Sequence, residues 1–260
     1  MPLHLFDPLA DLAARVRAGR RVLLFADFDG TLVPIADNPM TCELPPEGRA
    51  LLARIAARPN AAAAVVSGRD LPDLRPRVGV AGIAYAGNHG LEVQGPGFEF
   101  RDPGAVALAG ELAAVTAALT GELAGVPGAW VQNKVLSASV HYRQTPPELV
   151  PRVKATVERV VGPHRERFVL RGGKKVLEVR PAVDWDKGKA VRWLWEKLAA
   201  GDPDPVAIYL GDDATDEDAF RAVPDGVTVM VGPSRRTAAR HRLDGPADVA
   251  RFLAWLADAL

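Results

Sequence analysis

The stretch Val22-Leu23-Leu24-Phe25-Ala26-Asp27-Phe28-Asp29-Gly30-Thr31-Leu32 decides the fold. It opens, just after Arg20 and Arg21, as a short apolar run of strand formers. Such a run, bounded by charge on one side and glycine on the other, reads as a strand buried on both faces. It ends in two aspartates separated by a single residue, where a central strand would leave its sheet. Ligands of open α/β sheets bind outside the carboxyl ends of the strands, so Asp27 and Asp29 are expected to point from a rigid strand end into a crevice. Gly30 lets the chain turn sharply there. Taken alone, a solvated aspartate pair in a turn is the competing reading.

Working outward, a helix is expected over residues 8–18, with Leu9, Leu12 and Val16 at helical spacing and a stop at Gly19. Pro45 and Pro46 open a second helix with Leu51, Leu52 and Ile55 as its buried stripe. The apolar run 61–66 ends at Ser67-Gly68-Arg69-Asp70, where Ser67 reads either as a helix N-cap or as a phosphate-facing hydroxyl. A third core strand over 82–86 runs into Gly87-Asn88-His89-Gly90, and two short apolar segments around Gly95-Pro96-Gly97 read as a hairpin. Strand, helix, strand in this rhythm argues for a parallel sheet.

From about Pro103 the rhythm changes to helix (105–123), paired strands (130–142), helix (147–161) and a hairpin marked by Gly172-Gly173. After Asp186 the first rhythm resumes. A helix over 187–200 is followed by a strand over 206–210 that ends in Gly211-Asp212-Asp213-Ala214-Thr215-Asp216, then a strand over 227–231 and an amphipathic helix over 247–260. The expected fold is therefore α/β: a Rossmann-like parallel-sheet core over 1–102 and 184–260, interrupted by an α+β domain over 103–183.

Composition narrows the function. Lys plus Arg and Asp plus Glu each number 32, and no basic run is present, so no nucleic-acid partner is expected. Cys42 is the only cysteine, which excludes an internal disulfide and fits a reducing compartment, the cytoplasm. The start of the chain lacks the basic flank and apolar core of a signal peptide, and no stretch is expected to span a membrane.

The strand ends would gather Asp27, Asp29, Asp212, Asp213 and Asp216. Carboxylates so crowded repel one another and raise each other's pKa values, and a hard divalent cation resolves the conflict. Mg²⁺ takes oxygen ligands and commonly pairs one or two carboxylates with a substrate phosphate. Asp27 and Asp212 are the expected direct ligands with the backbone oxygen of Asp29, and Asp213 and Asp216 are expected at the edge or just behind these ligands, orienting waters. A phosphate entering such a site also needs cations and donors. Lys187 at a helix start, Thr31, Ser67 and the backbone at Gly68 supply them, whereas the bland reading of Lys187 is an exposed lysine that the helix dipole slightly disfavours.

In order, Asp27-x-Asp29-Gly30-Thr31, Ser67, Lys187-Gly188 and Gly211-Asp212-Asp213-x-x-Asp216 resemble the four motifs of the haloacid-dehalogenase-type phosphatases. Further stretches resemble the trehalose-6-phosphate phosphatases more narrowly. They are Ser67-Gly68-Arg69, Gly87-Asn88-His89-Gly90, Lys134-x-x-Ser137 with His141-Tyr142-Arg143, Gly173-Lys174-Lys175-Val176-Leu177-Glu178-Val179-Arg180-Pro181, Gly211 to Glu217, and Val231-Gly232 through Thr237-Ala238. The resemblance covers nearly all of the chain. It implies a two-step phosphoryl transfer in which Asp27 is the nucleophile and forms an aspartyl-phosphate. Asp29 would protonate the leaving sugar oxygen and then deprotonate water. Mg²⁺ and Lys187 would neutralise the transferring oxygens, and Ser67 and Thr31 would donate hydrogen bonds. The inserted domain would be a cap that closes over the crevice and reads the sugar.

Carried over as substrate-binding residues are Asn88 and His89 in the core, Lys134 and Arg143 on the paired strands, and Lys174 and Glu178 on the second hairpin. Gln132 stands where the family often has an acidic residue, and its amide can bond a hydroxyl but carries no charge. The implied partner is a small-molecule sugar phosphate, with no membrane and a monomeric chain. Capped phosphatases acting on sucrose 6-phosphate or a glycosyl-phosphoglycerate share the core motifs and stay open as alternatives. A non-catalytic sugar-phosphate-binding module would be expected to have lost Asp27, Asp29, Lys187 or Asp212, and all are present.

Overall fold

In the computed structural model the described residues are 2–18, 20–223, 225–233 and 236–260. The expected stop of the first helix at Gly19, and Ser234 and Arg235 of the last resembling segment, lie outside them. The chain begins with β1 (Leu3–His4) and α1 (Leu9–Arg17), then enters β2 (Val22–Ala26). It continues through α2 (Pro46–Ala56), β3 (Ala61–Val66), α3 (Leu71–Val78), β4 (Ala84–Gly87), β5 (Glu92–Gly95) and β6 (Phe98–Arg101). Next come α4 (Pro103–Leu123), β7 (Trp130–Asn133), β8 (Ala138–His141), α5 (Val150–Val161), β9 (Phe168–Gly173) and β10 (Val176–Pro181). The last elements are α6 (Lys187–Leu198), β11 (Val206–Gly211), α7 (Asp216–Ala222), β12 (Val227–Val231), β13 (His241–Leu243) and α8 (Pro246–Ala259). The chain divides into two compact units, Met1–Phe100 with Trp185–Leu260, and Arg101–Asp184.

In the first unit, nine strands among the described residues form one sheet in the order β1-β13-β12-β11-β2-β3-β4-β5-β6. Pairing is parallel from β1 across to β4, and β5 runs antiparallel to β4. Alternation along β2 explains its central place. Val22, Leu24 and Ala26 join one apolar cluster with residues of α1, α2, α3 and α8. Leu23 and Phe25 join the opposite cluster with Val191, Leu194 and Leu198 of α6 and Phe220 of α7. A strand buried on both faces is what parallel α/β sheets require. The two-residue β1 was not expected; it pairs in parallel with β13.

The second unit carries a four-stranded antiparallel sheet, β7-β8-β10-β9. One of its faces packs Val131, Val140, Leu170, Leu177 and Val179 against α4 and α5. Three expectations change here. Residues 147–161 begin as a 3₁₀ turn, Pro147–Leu149, before α5. The hairpin turns at Lys174 and Lys175, not at the glycines: Gly173 pairs with Val176 inside the ladder, and Lys175 takes the left-handed conformation at φ 66°. Finally, α4 is long and apolar enough to cross a membrane by length and composition, contrary to the expectation of no such stretch. In this fold a stripe of that helix, including Leu112, Val115, Leu119 and Leu123, is buried in the unit's core.

Candidate active site

The strand order reverses beside β2. The chain steps from β2 outward through β3 and β4, then returns on the other side through β11 and β12. β2 and β11 therefore lie side by side at a topological switch point, where open α/β sheets bind ligands. They are in register, Ala26 opposite Leu210, and Asp27 N–H donates to the Leu210 carbonyl at 2.9 Å. Asp27 and Asp212 thus emerge from neighbouring strands at nearly the same level. Carboxylate oxygens of Asp27, Asp212 and Asp216 lie within 4.8 Å of one another. Gly30, at φ 94°, brings the first motif's backbone against this group; a Cβ there would fall 2.1 Å from Asp212 Oδ2.

Lys187 is not an exposed lysine. Asp186 caps α6 by accepting from Lys189 N–H at 2.8 Å, and Lys187 follows it into the buried side. Its Nζ donates to Asp27 Oδ1 at 2.6 Å and to Asp216 Oδ1 at 2.8 Å. Asp216 is fully buried, behind the other carboxylates and not at the edge, and organises the loop. Its Oδ1 also accepts from the Tyr209 hydroxyl at 2.7 Å, and its Oδ2 accepts the N–H groups of Asp212 and Asp213, each at 3.0 Å. Asp213 Oδ1 accepts both the N–H and the hydroxyl of Thr215 at 2.7 Å.

The charges respond to this packing. Burial pushes Asp27 well above the usual carboxylate range; Lys187 pulls it down, while Asp216, Asp212 and Asp213 push it further up. Burial likewise raises Asp216 against the pull of Lys187. For Lys187, burial disfavours the charge, but Asp216 and Asp27 outweigh it and hold the ammonium protonated. Burial would raise Asp213 too, yet Lys187 and the Thr215 bonds overcome it and bring its pKa to about 2.

Ser67 leaves the end of β3 but is not a helix cap. Its Oγ accepts from Arg69 N–H at 3.1 Å, and the cap of α3 is Asp70, which accepts from Asp73 N–H. Gly68 leaves room for the His89 ring, since a Cβ there would lie 2.6 Å from His89 Cε1. Asn88 and His89 both hold positive φ, 50° and 58°. That strained turn is tied to the Ser67 segment: Asn88 N–H donates to Arg69 O at 2.6 Å and His89 N–H to Ser67 O at 2.9 Å. Buried Glu92 completes the knot, accepting from Leu71 N–H at 2.9 Å and Asn88 Nδ2 at 2.8 Å. The Thr31 hydroxyl is fully buried and has no hydrogen-bond partner among the described residues. A donor in that condition fits a ligand oxygen.

Arg69 was quoted in the sequence but given no role. In the fold it holds the Asp29 carboxylate through a fork, Nε to Oδ2 and Nη2 to Oδ1, each 2.7 Å. Burial works against its charge, but the bonds to Asp29 and Asp73 prevail and keep it more firmly protonated than an ordinary arginine. Tyr209 and Glu92 were missed as well. Tyr209 sits inside an apolar strand run and carries no local mark, and Glu92 reads as part of a hairpin. Only the neighbouring Gly-Asp-Asp and Gly-Asn-His-Gly stretches could have drawn notice to them.

The remaining expected residues lie on the second unit. On the sheet face opposite its apolar core, Glu178, Ser139 and Gln132 occupy one cross-strand row, and Val176, His141 and Trp130 the next. Lys134 Nζ donates to Glu178 Oε1 at 3.3 Å, and Arg180 clasps Glu178 Oε2. His141 Nε2 lies 3.2 Å from Gln132 Oε1, and its ring stacks on Trp130 at 3.9 Å between centroids. Lys134 and Arg143 fall just beyond strand ends rather than within the strands, and Lys174 is in the hairpin turn, its carbonyl accepting from Arg143 Nη2 at 2.8 Å.

A family model described as Trehalose-phosphatase matches residues 25–246. A trehalose-phosphate phosphatase of Mycobacterium avium is 43% identical over 253 residues, 94% of this chain and 64% of that protein. One from Mycobacterium tuberculosis is 42% identical over 248 residues, 93% of this chain and 62% of that protein. The chain thus spans less than two thirds of the length of these relatives. The solved C-terminal domain of the trehalose-6-phosphate phosphatase of C. albicans superposes with a TM-score of 0.82 at 23% identity, covering 100% of this chain and 99% of that one.

Proposed function

The chain belongs to the trehalose-phosphatase family, and on that premise we propose that it hydrolyses trehalose 6-phosphate to trehalose and phosphate. The observation that carries this reading is the buried Asp27 at the switch point, bonded to Lys187 and crowded by Asp212 and Asp216. A carboxylate in that position is a nucleophile held ready by a fixed cation, not a solvated turn residue.

In the proposed reaction an Asp27 carboxylate oxygen attacks phosphorus and the bond to the sugar oxygen breaks. The electron pair leaves with that oxygen, which takes a proton from Asp29. The resulting aspartyl-phosphate is cleaved by water, which gives its proton to Asp29 as the phosphorus–Asp27 bond breaks. Lys187 balances the charge gathering on the phosphoryl oxygens without moving, since two carboxylates already fix its Nζ. The Thr31 and Ser67 hydroxyls and the backbone at Gly68 are the phosphate donors, and the unpartnered Thr31 hydroxyl supports this assignment. In this reading His89, packed against Gly68, would meet the substrate, and Asn88, bonded to Glu92, holds the strained turn that presents it.

An oxygen-only donor set suits Mg²⁺. Asp27 and Asp212 would hold it with the backbone oxygen of Asp29, whose carboxylate is committed to Arg69, while Asp216 and Asp213 keep the loop in place. When bound, the ion supplies charge neutralisation to the transferring phosphoryl group. The second unit is the cap in this reading, its polar sheet face reading sugar hydroxyls through Lys134, Glu178, Arg143 and Lys174.

The test is phosphate release from trehalose 6-phosphate, sucrose 6-phosphate and a glycosyl-phosphoglycerate, each with and without Mg²⁺. Trehalose 6-phosphate is expected to be turned over fastest. No release from it, with release from another ester, would move the chain to one of the related substrates.

A further inference from the structure

We propose that Arg69 is a positioning residue for Asp29, a fixed post that sets the plane and reach of the carboxylate that transfers protons; this rests on the role given to Asp29 above. The two partners differ in how they are held. The Arg69 guanidinium is bound from several sides that do not involve Asp29. Its Nη1 donates to Asp73 Oδ2 at 2.6 Å, its Nη2 donates to the Pro39 carbonyl at 2.8 Å, and its Cζ lies 5.5 Å from the centroid of the Phe28 ring. Asp73 is held in turn by Arg77 Nε at 2.7 Å, and Arg77 Nη1 donates to the carbonyls of Met40 at 2.8 Å and Cys42 at 2.9 Å. The backbone of Arg69 is tied to Ser67 Oγ on one side and to Asn88 N–H on the other. The post would stay in place without Asp29.

Among the described residues no side chain but Arg69 holds the Asp29 carboxylate, although the Asp29 backbone bridges to Val33. Asp29 follows β2 on the connecting segment, and its side chain is 34% exposed where that of Arg69 is 9% exposed. A carboxylate that exposed needs no cation to be tolerated, so neutralisation does not explain the fork. Geometry does. A guanidinium engaging both oxygens fixes the carboxylate plane as well as its position, which a lysine ammonium, a point donor, cannot do. Proton transfer needs the carboxyl within hydrogen-bond reach of the leaving oxygen, and the fork leaves the outer edge of each oxygen for that contact. The segment that carries the phosphate-facing Ser67 and Gly68 thereby also carries the ruler for the acid and base. Phosphate binding and proton transfer are set from one loop.

The experiment is a double-mutant cycle. Arg69→Lys and Arg69→Gln are measured in the wild-type and Asp29→Asn backgrounds, with trehalose 6-phosphate and with 4-nitrophenyl phosphate, whose leaving group needs little protonation. In the wild-type background Arg69→Lys should lower kcat on the sugar ester by about 10²-fold, the effect of a small misplacement, with KM little changed and a smaller loss on the aryl ester. In the Asp29→Asn background the same change should cost less than about threefold, because the group it positions is already disabled. Asp73→Asn loosens the post from the side away from Asp29, should give a milder loss with the same leaving-group pattern, and carries the test if the Arg69 variants unfold. Equal losses with and without the Asp29 carboxylate, or losses confined to KM on both esters, would overturn the proposal and make Arg69 a phosphate or scaffold residue. A wild type active on the sugar ester with additive variants sinks this inference alone. A wild type that cleaves neither ester removes the role of Asp29 and this inference with it.

Discussion

Two charged clusters in this chain are built in opposite ways. At the ends of β2 and β11, Asp27, Asp216, Lys187 and Tyr209 are buried, and one oxygen each of Asp216 and Asp213 accepts backbone N–H groups of their own loop. On the second unit, Lys134 and Arg180 pair through their side chains with Glu178, which stands on one face of an antiparallel sheet. The first cluster is fixed by the strands and helix that deliver it. The second is a set of side-chain contacts around one residue of a sheet face, which can be altered residue by residue. In the proposed reaction the first cluster carries the chemistry common to any phosphate ester and the second the discrimination between sugars.

The largest effect should come from the cation of the first cluster. Lys187→Ala would leave Asp27 and Asp216 buried without it, and breaking a buried pair in this way costs about 3–5 kcal/mol. Turnover should vanish together with a clear fall in the unfolding midpoint. Asp27→Asn should also abolish turnover, yet leave the midpoint unchanged or higher, because it removes a buried carboxylate that burial already disfavours. These two variants separate chemistry from stability at adjoining atoms. If Lys187→Ala folds as stably as the wild type, the picture of a tightly interlocked cluster fails.

Next in size is removal of the divalent ion. Chelation should abolish turnover of sugar and aryl esters alike, since in the proposed reaction the carboxylate group serves the phosphate and not the sugar. Mg²⁺ should restore it, and Ca²⁺ should do so poorly because its longer bonds and looser geometry misplace in-line groups. Full turnover in excess chelator would remove the metal from the account of Asp27 and Asp212.

These two regions were not equally legible in the sequence. The core could be read because its signals are local and strong: an apolar run that switches to aspartate marks both a strand and its functional end, and this happens at Asp27 and again at Asp212. What escaped was what tertiary pairing decides. β1 has no pattern of its own and exists because the Leu3 and His4 backbone meets His241 and Arg242. Arg69 and Tyr209 look like any loop arginine and any strand tyrosine until the fold brings Asp29 and Asp216 to them. In the second unit Gly172 and Gly173 suggested the turn. The ladder register, with Gly173 opposite Val176, puts it at Lys174 and Lys175 instead. Position within that hairpin bears directly on what Lys174 can do.

The smallest effects should therefore appear within the second cluster, and they should be unequal. Glu178 is seated in its row, 13% exposed at the side chain, with Lys134 and Arg180 on its two oxygens. Glu178→Ala would remove a hydroxyl acceptor and release both cations at once. The expected loss of kcat/KM on trehalose 6-phosphate is about tenfold to a hundredfold, equivalent to roughly 1–3 kcal/mol of transition-state binding. Lys174 stands in an exposed turn, and the bond it makes to Arg143 uses its backbone carbonyl, which Lys174→Ala retains. A long, exposed lysine side chain gives up rotamer freedom when it holds a substrate, which offsets much of any bond gained. Lys174→Ala should accordingly cost less than about tenfold on the sugar ester. Both variants should leave 4-nitrophenyl phosphate turnover nearly unchanged, because neither side chain has a sugar to meet there. Measuring kcat/KM on both esters for the two variants decides the matter. A Lys174 loss as large as that of Glu178, confined to the sugar ester, would show that the turn orders itself around the substrate and that the row alone does not define recognition. Parallel losses on both esters would withdraw sugar reading from either residue and dissolve the contrast between the two clusters.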